Sequence, residues 1–266
     1  MESSFRIEKE EMVAWLILNR PEKRNTMTWE FFAELAEQFS AFDDDPEVRA
    51  VVIRAEGKMF TAGLDLVAAA SLLGDGSAAY REGLRKKIFE LQDGISAVER
   101  CRKPVIAAVH GPCIGGGVDL LTACDIRLAA RDAIFSVRET RLGIVADVGT
   151  LQRLPTIIGH GWSRELALTG RNFTAEEALK MGFITHLCDD REALLREAKA
   201  LAEEIASLPP LAIQGVKDTL LQGRDHGVYP GLAYVAQKNA ALIPNEDMLE
   251  AVAAFLEKRK PTFKGR

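Results

Sequence analysis

Short apolar runs alternate with longer amphipathic stretches along the first two thirds of the chain. Four of these runs are rich in β-branched and other apolar residues, and each is followed by glycine, proline or charged residues. Such runs are typical of buried strands. The four predicted strands are MVAWLIL (12–18), AVVIRA (50–55), PVIAAVHG (104–111) and CDIRLAA (124–130). Helical patterns separate them, and the sequence therefore predicts an α/β fold.

The clearest helical pattern lies between Ala78 and Cys101. Its apolar residues recur at alternating steps of four and three, which places them on one helix face: Leu84, Ile88, Leu91, Ile95 and Val98. A shorter helix is predicted in TAEEALKMGFI (174–184). There Thr174 and Glu177 have capping-box spacing, and Gly182 stands where a C-terminal cap belongs.

From Arg191 onward the pattern is almost wholly helical, interrupted at prolines. We therefore predict two parts. Residues 1–190 form an α/β core that carries the functional site, and residues 191–266 form a C-terminal helical region. The length of 266 residues and the hydrophobic content of 47% supply ample apolar surface for a core.

Composition and charge exclude several classes of protein. The four cysteines form no C-x-x-C pair, and the histidines show no metal-ligand spacing, so we expect neither a disulfide framework nor a metal site. The N-terminus lacks a secretory or transit pattern, and no apolar run is long enough to cross a membrane, which favours a soluble, cytoplasmic protein without a membrane partner. A net charge of −5 argues against a nucleic-acid partner.

Three carboxylates stand out in segments dominated by glycine and apolar residues: Asp119, Glu139 and Asp147. The first two interrupt sequence that is typical of the interior, where an ionised group costs several kcal/mol unless it is paired or neutralised. Proteins tolerate such acids mostly where they have a function. Each also has a structural explanation: Asp119 as a helix cap, Glu139 in an ion pair with a neighbouring arginine, and Asp147 in a turn or cap.

Two glycine-containing turns follow predicted strands. Gly115, Gly116 and Gly117 come after the strand 104–111, and Ala62 and Gly63 precede Leu64 after the strand 50–55. Glycine allows backbone N–H groups to approach a ligand closely, so one N–H from each turn could hold a carbonyl oxygen on which negative charge develops. Tightly packed turns without a ligand are the alternative.

Six motifs in order along nearly the whole chain resemble the enoyl-CoA hydratase/isomerase (crotonase) superfamily: LNRPEKRNTM, FTAGLDL, PVIAAVHGPCIGGGVDLLTACDIRLA, FSVRETRLGIVADVGTLQRLP, TAEEALKMGFI and KRKPTFKG. The resemblance implies a spiral of ββα units with a C-terminal helical oligomerisation region that makes homotrimers or homohexamers. It also implies an acyl-CoA thioester substrate and an oxyanion hole formed by the N–H groups of Leu64 and Gly116. Coenzyme A is then part of the substrate, and no separate cofactor is expected.

Within this superfamily the chain resembles the Δ3,5-Δ2,4-dienoyl-CoA isomerases. Hydratases of the family carry glutamate at the position of Asp119 and usually glycine at that of Asp147. The resemblance implies that Glu139 takes a proton from C2 of a 3,5-dienoyl-CoA, that Asp147 protonates C6, and that Asp119 orients or tunes the pair. The alternatives are an enoyl-CoA hydratase, or a non-catalytic relative that binds acyl-CoA or RNA.

Further residues are expected at the coenzyme. Arg20, Lys23 and Arg24 flank a proline-marked turn and are predicted to pair with its phosphates, with a solvated surface as the alternative. The resemblance also assigns Ala62 to the substrate site, and it assigns Phe263 and Lys264 to the coenzyme of a neighbouring subunit. The wall of the acyl tunnel is expected from residues 67–83.

Overall fold

Two sheets organise the protein, whose structure is a computed structural model describing residues 3–69 and 74–266. The strands are β1 (Phe5–Glu10), β2 (Val13–Leu18), β3 (Ala50–Ala55), β4 (Val105–Val109), β5 (Pro112–Ile114), β6 (Ile126–Ala130), β7 (Ile134–Ser136), β8 (Phe173–Thr174) and β9 (His186–Cys188). Six of them form one sheet in the order β1-β2-β3-β4-β6-β9, in which β1 and β2 are antiparallel and all other pairs are parallel. The four strands predicted from apolar runs all lie in this sheet.

Helices connect most of the strands and make up the C-terminal part of the chain. They are α1 (Trp29–Asp44), α2 (Leu66–Ala69), α3 (Ala78–Arg100), α4 (Gly116–Ala123), α5 (Thr150–Thr169), α6 (Ala175–Met181), α7 (Arg191–Ala206), α8 (Pro210–His226), α9 (Val228–Leu242) and α10 (Glu246–Glu257). The predicted α/β fold is therefore confirmed. Within the described residues, no helix is both long and apolar enough to span a membrane.

Both faces of the sheet are buried, which explains why its central strands are apolar at nearly every position. On one face Leu16 and Ile53 belong to a core that includes residues of α1 and α3. On the other face Trp15 and Val52 pack with residues of α7. The apolar stripe predicted for α3 points into the first core: Leu91, Ile95 and Val98 are buried, while Leu84 and Ile88 are partly buried.

The smaller sheet joins β5, β7 and β8, with β5 parallel to β7 and β7 antiparallel to β8. Three aromatic rings pack against one another beside it, with centroids 5.2–5.7 Å apart: Phe135, Phe173 and Phe183. Strand β4 is followed directly by β5 and then α4, and β6 is followed by β7 and then α5. These successive ββα units bring the ends of β5 and β7 to the candidate site.

The predicted caps of α6 are present. The Thr174 side chain accepts from the Glu177 backbone N–H, the Glu177 side chain accepts from the Thr174 N–H, and Gly182 is left-handed at the C-terminal end. The helical pattern after Arg191 is also confirmed by α7 to α10. The predicted division at residue 190 stays a prediction. Helix α7 follows that boundary in the sequence but packs on the sheet of the preceding part.

Candidate active site

A cavity of about 510 Å³ brings the predicted site residues together. Asp119, Glu139 and Asp147 line it along with Ala62, Leu64 and Gly116. Most of the remaining wall is apolar, and the sequence had not predicted these residues at the site: Phe32, Leu66, Leu91, Leu142, Ile144 and Val148. They come from α1, α2, α3 and the segment before α5. The predicted tunnel segment 67–83 includes residues 70–73, which lie outside the described residues.

The two glycine-containing turns are joined edge to edge. The Thr61 N–H donates to the Pro112 carbonyl at 3.2 Å, and the Ile114 N–H donates to the Thr61 carbonyl at 3.1 Å. The turn that contains Gly63 is also held by Met27, whose N–H donates to the Gly63 carbonyl at 2.9 Å. The turn before Leu64 is therefore fixed against β5 and the start of α4.

This pairing places the N–H groups of Leu64 and Gly116 close together. A Cβ added at Gly116 would lie only 3.9 Å from the Leu64 nitrogen. Within residues 3–69 and 74–266, neither N–H donates a hydrogen bond to another part of the protein. Two free donors at the wall of an apolar cavity can bind one oxygen atom.

Glycine is required at two positions beside these donors. Gly63 has φ +82°, and a Cβ there would lie 2.6 Å from the Ile114 carbonyl oxygen. Gly115 has φ +55°, and a Cβ there would lie 3.1 Å from Oε1 of Glu139. Larger residues would adopt this backbone only with strain and would push the two turns or the carboxylate aside.

Asp119 is the most deeply buried of the three acids, with 1% exposure. It lies in the first turn of α4, but its Oδ1 accepts the N–H of Thr150, the first residue of α5, at 2.7 Å. The carboxylate therefore caps α5, whereas the sequence suggested that it caps α4. Burial raises its pKa to about 6, and the hydrogen bonds from Thr150 oppose that rise.

Glu139 begins a 3₁₀ helix (Glu139–Leu142) directly after β7. Its Oε2 is buried and has no hydrogen-bond partner among the described residues. Burial raises its pKa to about 7, and the negative charges of Asp119 and Asp147 add to the rise. An unpartnered buried carboxylate oxygen facing a cavity is available to a ligand.

Among the described residues, Glu139 forms no ion pair with either neighbouring arginine. The neighbouring arginines have other partners: Arg138 donates to the Asn172 side chain at 2.5 Å, and Arg141 donates to the Thr169 carbonyl at 3.0 Å. The two bonds hold the residues on either side of Glu139, and Glu139 itself lines the cavity.

Asp147 lies between the buried residues Ala146 and Val148 and is itself exposed. Its backbone carbonyl accepts a hydrogen bond of 2.6 Å from the Gln92 side chain of α3. Partial burial of the carboxyl group raises its pKa. Gly149, not Asp147, is the N-cap residue of α5, so the suggested capping role is not found.

The basic residues predicted at the coenzyme surround a short 3₁₀ helix, Pro21–Lys23. Lys23 and Arg24 are exposed and Arg20 is partly buried. The Arg24 carbonyl accepts the Ala62 N–H at 3.0 Å, which connects this loop to the turn that carries Leu64. Phosphate groups near these side chains would therefore lie close to the cavity.

The C-terminal residues are held against their own chain. The Phe263 carbonyl accepts from Arg49 at 2.7 Å, and the Lys264 N–H donates to Asp247 at 2.6 Å. Neither residue lines the cavity. Of the residues that the structure describes, no group of three His, Cys, Asp or Glu side chains is arranged to hold a metal ion.

A first prediction concerns the charge of Asp119. Raising its pKa from 3.8 to about 6 means that the folded protein disfavours the carboxylate by about 3 kcal/mol. Asp119→Asn removes the charge and keeps an oxygen for the Thr150 N–H. The free energy of unfolding measured in urea should therefore rise by up to about 3 kcal/mol near pH 8, and the gain should disappear near pH 4.

The matched control is Asp119→Ala, which also removes the acceptor. It leaves the buried Thr150 N–H unpaired and opens a cavity, so it should gain much less stability than Asp119→Asn or lose stability. Equal stability of the wild type and Asp119→Asn at both pH values would show that the buried charge carries no cost.

Comparison with known proteins places the chain in one family. Residues 8–266 match the family model described as enoyl-CoA hydratase/isomerase. The chain is 45% identical, over 93% of its length and 91% of the relative's, to the peroxisomal Δ3,5-Δ2,4-dienoyl-CoA isomerase of Arabidopsis thaliana. It is 48% identical, over 91% of its length and 76% of the relative's, to the mitochondrial Δ3,5-Δ2,4-dienoyl-CoA isomerase of Homo sapiens.

Solved structures confirm the predicted fold. Enoyl-CoA hydratase from Bacillus anthracis superposes with a TM-score of 0.91 and 32% identity, covering 99% of this chain and all of that one. Enoyl-CoA hydratase from Mycobacterium smegmatis gives a TM-score of 0.87 and 30% identity, covering 98% of this chain and 99% of that one. The crotonase-type architecture inferred from the motifs is therefore correct.

The predicted cytoplasmic location is wrong by the same comparison, because similar isomerases are peroxisomal or mitochondrial. The prediction depended on the absence of a targeting pattern in the first residues, and such an absence does not determine a compartment. The matched family model, the isomerase relatives and the shared fold agree across almost the whole sequence. The chain belongs to the enoyl-CoA hydratase/isomerase family.

Proposed function

We propose that the protein is a Δ3,5-Δ2,4-dienoyl-CoA isomerase. The observation that carries the proposal is the presence of Asp147 at the same cavity as Glu139 and Asp119, beside two free backbone donors. Conversion of a 3,5-diene to a 2,4-diene shifts each double bond by one carbon, which removes a proton at C2 and adds one at C6. A third carboxylate, on a segment separate from the other two, supplies an acid for the distant carbon.

The thioester oxygen would bind the N–H groups of Leu64 and Gly116. Removal of the C2 proton converts the thioester to an enolate, whose negative charge is delocalised from this oxygen along the conjugated chain. Donors that are already in position stabilise this charge without reorganisation, and one such donor is worth about 2.7–4 kcal/mol in comparable sites. The apolar wall keeps water away and strengthens the interaction.

Glu139 suits the role of base at C2. Its Oε1 lies next to Gly115, one residue from the donor Gly116, so it is near the carbon adjacent to the thioester group. The pKa of about 7 makes the carboxylate abundant at neutral pH while keeping it basic enough to take a proton. The negative charges of the neighbouring acids contribute to this basicity.

Asp147 is proposed as the acid at C6 and Asp119 as a positioning group. Partial burial raises the pKa of Asp147, which favours its protonated form. The charges of Asp119 and Asp147 are among the causes that raise the pKa of Glu139. Asp119 binds the first N–H of α5 and thereby fixes the helix that follows Asp147.

The test compares two substrates. Purified protein is mixed with a 3,5-dienoyl-CoA and, separately, with a 2-enoyl-CoA, and the conjugated absorbance is followed. The proposal expects a rapid shift to the 2,4-dienoyl product and little hydration of the enoyl substrate. Rapid hydration of the enoyl substrate with little isomerisation of the dienoyl substrate would identify a hydratase. No reaction with either substrate would favour a binding role.

The pH dependence provides a second prediction. Glu139 must be ionised to accept the C2 proton, so kcat/KM should fall as the pH decreases through about 7. Because the charge of Asp119 is one cause of the raised pKa, Asp119→Asn should move this acid limb to lower pH. A limb that stays in place in the variant would show that another group controls it.

We further propose that Arg20, Lys23 and Arg24 pair with phosphates of the coenzyme, and that Phe263 and Lys264 contact the coenzyme of a neighbouring subunit in a homotrimer or homohexamer. Exposed apolar side chains on the C-terminal helices support a subunit interface: Leu220, Tyr229, Leu232, Leu249, Val252 and Phe255. Sedimentation equilibrium of the whole chain tests the assembly, and a monomer would contradict it.

A further inference from the structure

A second cavity lies on the other side of Asp147. It measures about 550 Å³ and is lined mainly by polar side chains of α3, α5 and α8. We call it the Asp147 cleft and define it by Gln92, Ser96, Asp147, Gln152, Arg153 and Arg224. Its wall contrasts with the mainly apolar wall of the substrate cavity.

Of the three acids, only Asp147 borders both cavities. Asp119 is almost fully buried, and Oε2 of Glu139 is buried without a partner among the described residues. Asp147 is exposed, and together with its neighbour Val148 it lines both spaces. It therefore stands between the substrate cavity and a polar route to solvent.

Ion pairs hold the polar wall in place. Glu99 pairs with Arg153 at 3.1 Å and with Arg224 at 2.5 Å, and Arg153 donates to the Ser96 hydroxyl at 2.9 Å. These contacts join α3, α5 and α8. A polar cavity of this size, with fixed donors and acceptors, has room for several water molecules and can hydrogen-bond to them.

The proposed reaction leaves its two acids in the wrong protonation state. In each turnover the C2–H bond breaks and its proton goes to Glu139, while the O–H bond of Asp147 breaks and its proton goes to C6. Before the next turnover Glu139 must lose a proton and Asp147 must gain one. Within residues 3–69 and 74–266, no hydrogen bond links the carboxylate of Asp119 to Glu139 or to Asp147. Asp119 therefore provides no direct path for a proton from Glu139 to Asp147.

We propose that Asp147 is reprotonated from solvent through the Asp147 cleft. A water molecule in the cleft donates a proton to the Asp147 carboxylate, and Glu139 releases its proton to water in the substrate cavity after the product has left. The number of protons in solution is unchanged over the cycle. This inference depends on the proposed isomerase function and extends it by assigning the source of the C6 proton.

The first test follows the proton itself in the wild-type enzyme. A 3,5-dienoyl-CoA deuterated at C2 is converted in ordinary water over many turnovers, and the deuterium at C6 of the product is measured by mass spectrometry. Reprotonation from solvent predicts no deuterium at C6. Transfer of the label from C2 to C6 would overturn the inference, whereas absence of any product would contradict the proposed function instead.

The second test obstructs the cleft. Gln152 is exposed, lines the cleft and does not line the substrate cavity, so Gln152→Phe narrows the route without touching the substrate. Because reprotonation follows product release, kcat should fall about tenfold while kcat/KM stays unchanged. Gln237→Phe, an exposed glutamine of α9 that lines neither cavity, is the matched control.

Comparison of kcat with kcat/KM separates a role of the cleft in reprotonation from a purely structural role. Distortion of the site by Gln152→Phe would lower kcat/KM as well, and that result would overturn the inference. An unchanged kcat would also overturn it. A small proton donor such as imidazole, added at increasing concentration, should restore kcat of the variant and leave the control variant unaffected.

Discussion

Replacement of Glu139 by glutamine should nearly abolish isomerisation. The amide keeps the shape of the side chain but cannot accept the C2 proton, and the loss of a general base typically lowers kcat by about 10²–10⁴. Because Oε2 of Glu139 is buried without a partner among the described residues, the fold does not depend on its charge. Steady-state rates with a 3,5-dienoyl-CoA measure the effect, and thermal unfolding verifies that the variant is folded.

The control is Glu37→Gln, the same chemical change at an exposed position of α1. It should leave the rate unchanged. A folded Glu139→Gln protein with wild-type activity would show that the base lies elsewhere.

Asp147→Asn separates the two ends of the reaction. This variant should also lose isomerisation, but its Glu139 can still remove and return the C2 proton. Because no proton reaches C6 in this variant, the enolate stays bound, and Glu139 can exchange its captured proton with heavy water before it returns a hydrogen to C2. Exchange at C2 should therefore be seen in Asp147→Asn and be absent in Glu139→Gln. Loss of exchange in both variants would mean that the assigned roles are incorrect.

The sequence predicted the elements that depend on local rules. The central strands are continuous apolar runs because both sheet faces are buried, and the stripe of α3 has a regular helical period. The caps of α6 follow from residues three positions apart. In these cases nearby residues contain the whole signal.

Strands with little local signal were missed. β1 carries four charged residues in FRIEKE and lies at the edge of the sheet, where burial does not impose an apolar run. β5 and β7 have three residues each, and β8 has two. Such short segments form strands because their neighbours in space pair with them, so their own residues predict them poorly.

The site was predictable in its chemistry and only partly in its geometry. Residue type alone drew attention to Asp119, Glu139, Asp147 and the two glycine-containing turns, and the structure places all of them at one cavity. The partner of Asp119 is Thr150, which is 31 positions away, and no pattern along the chain connects the two. The apolar wall was missed for the same reason, because Phe32 and Leu91 belong to different helices and differ in no way from core residues.

Gly116→Ala should disable the oxyanion site and leave the fold intact. Gly116 has no positive φ, so alanine adopts its backbone without strain. The added Cβ would lie 3.3 Å from the flexible Met27 sulfur and 3.9 Å from the Leu64 nitrogen. The methyl group would thus occupy space beside the Leu64 N–H that the thioester oxygen needs. Loss of one such donor lowers kcat by about 10²–10³.

Two other glycines make this prediction specific. Gly161→Ala places the same methyl group in open space on α5 and should keep full activity, with a small gain in stability from the better helix former. Gly63→Ala would put a Cβ 2.6 Å from the Ile114 carbonyl at a positive φ, so it should lose stability as well as activity. A Gly116→Ala protein with normal stability and a much lower kcat would locate the charge of the transition state between the two turns. Normal activity in that variant would mean that the thioester oxygen is bound elsewhere.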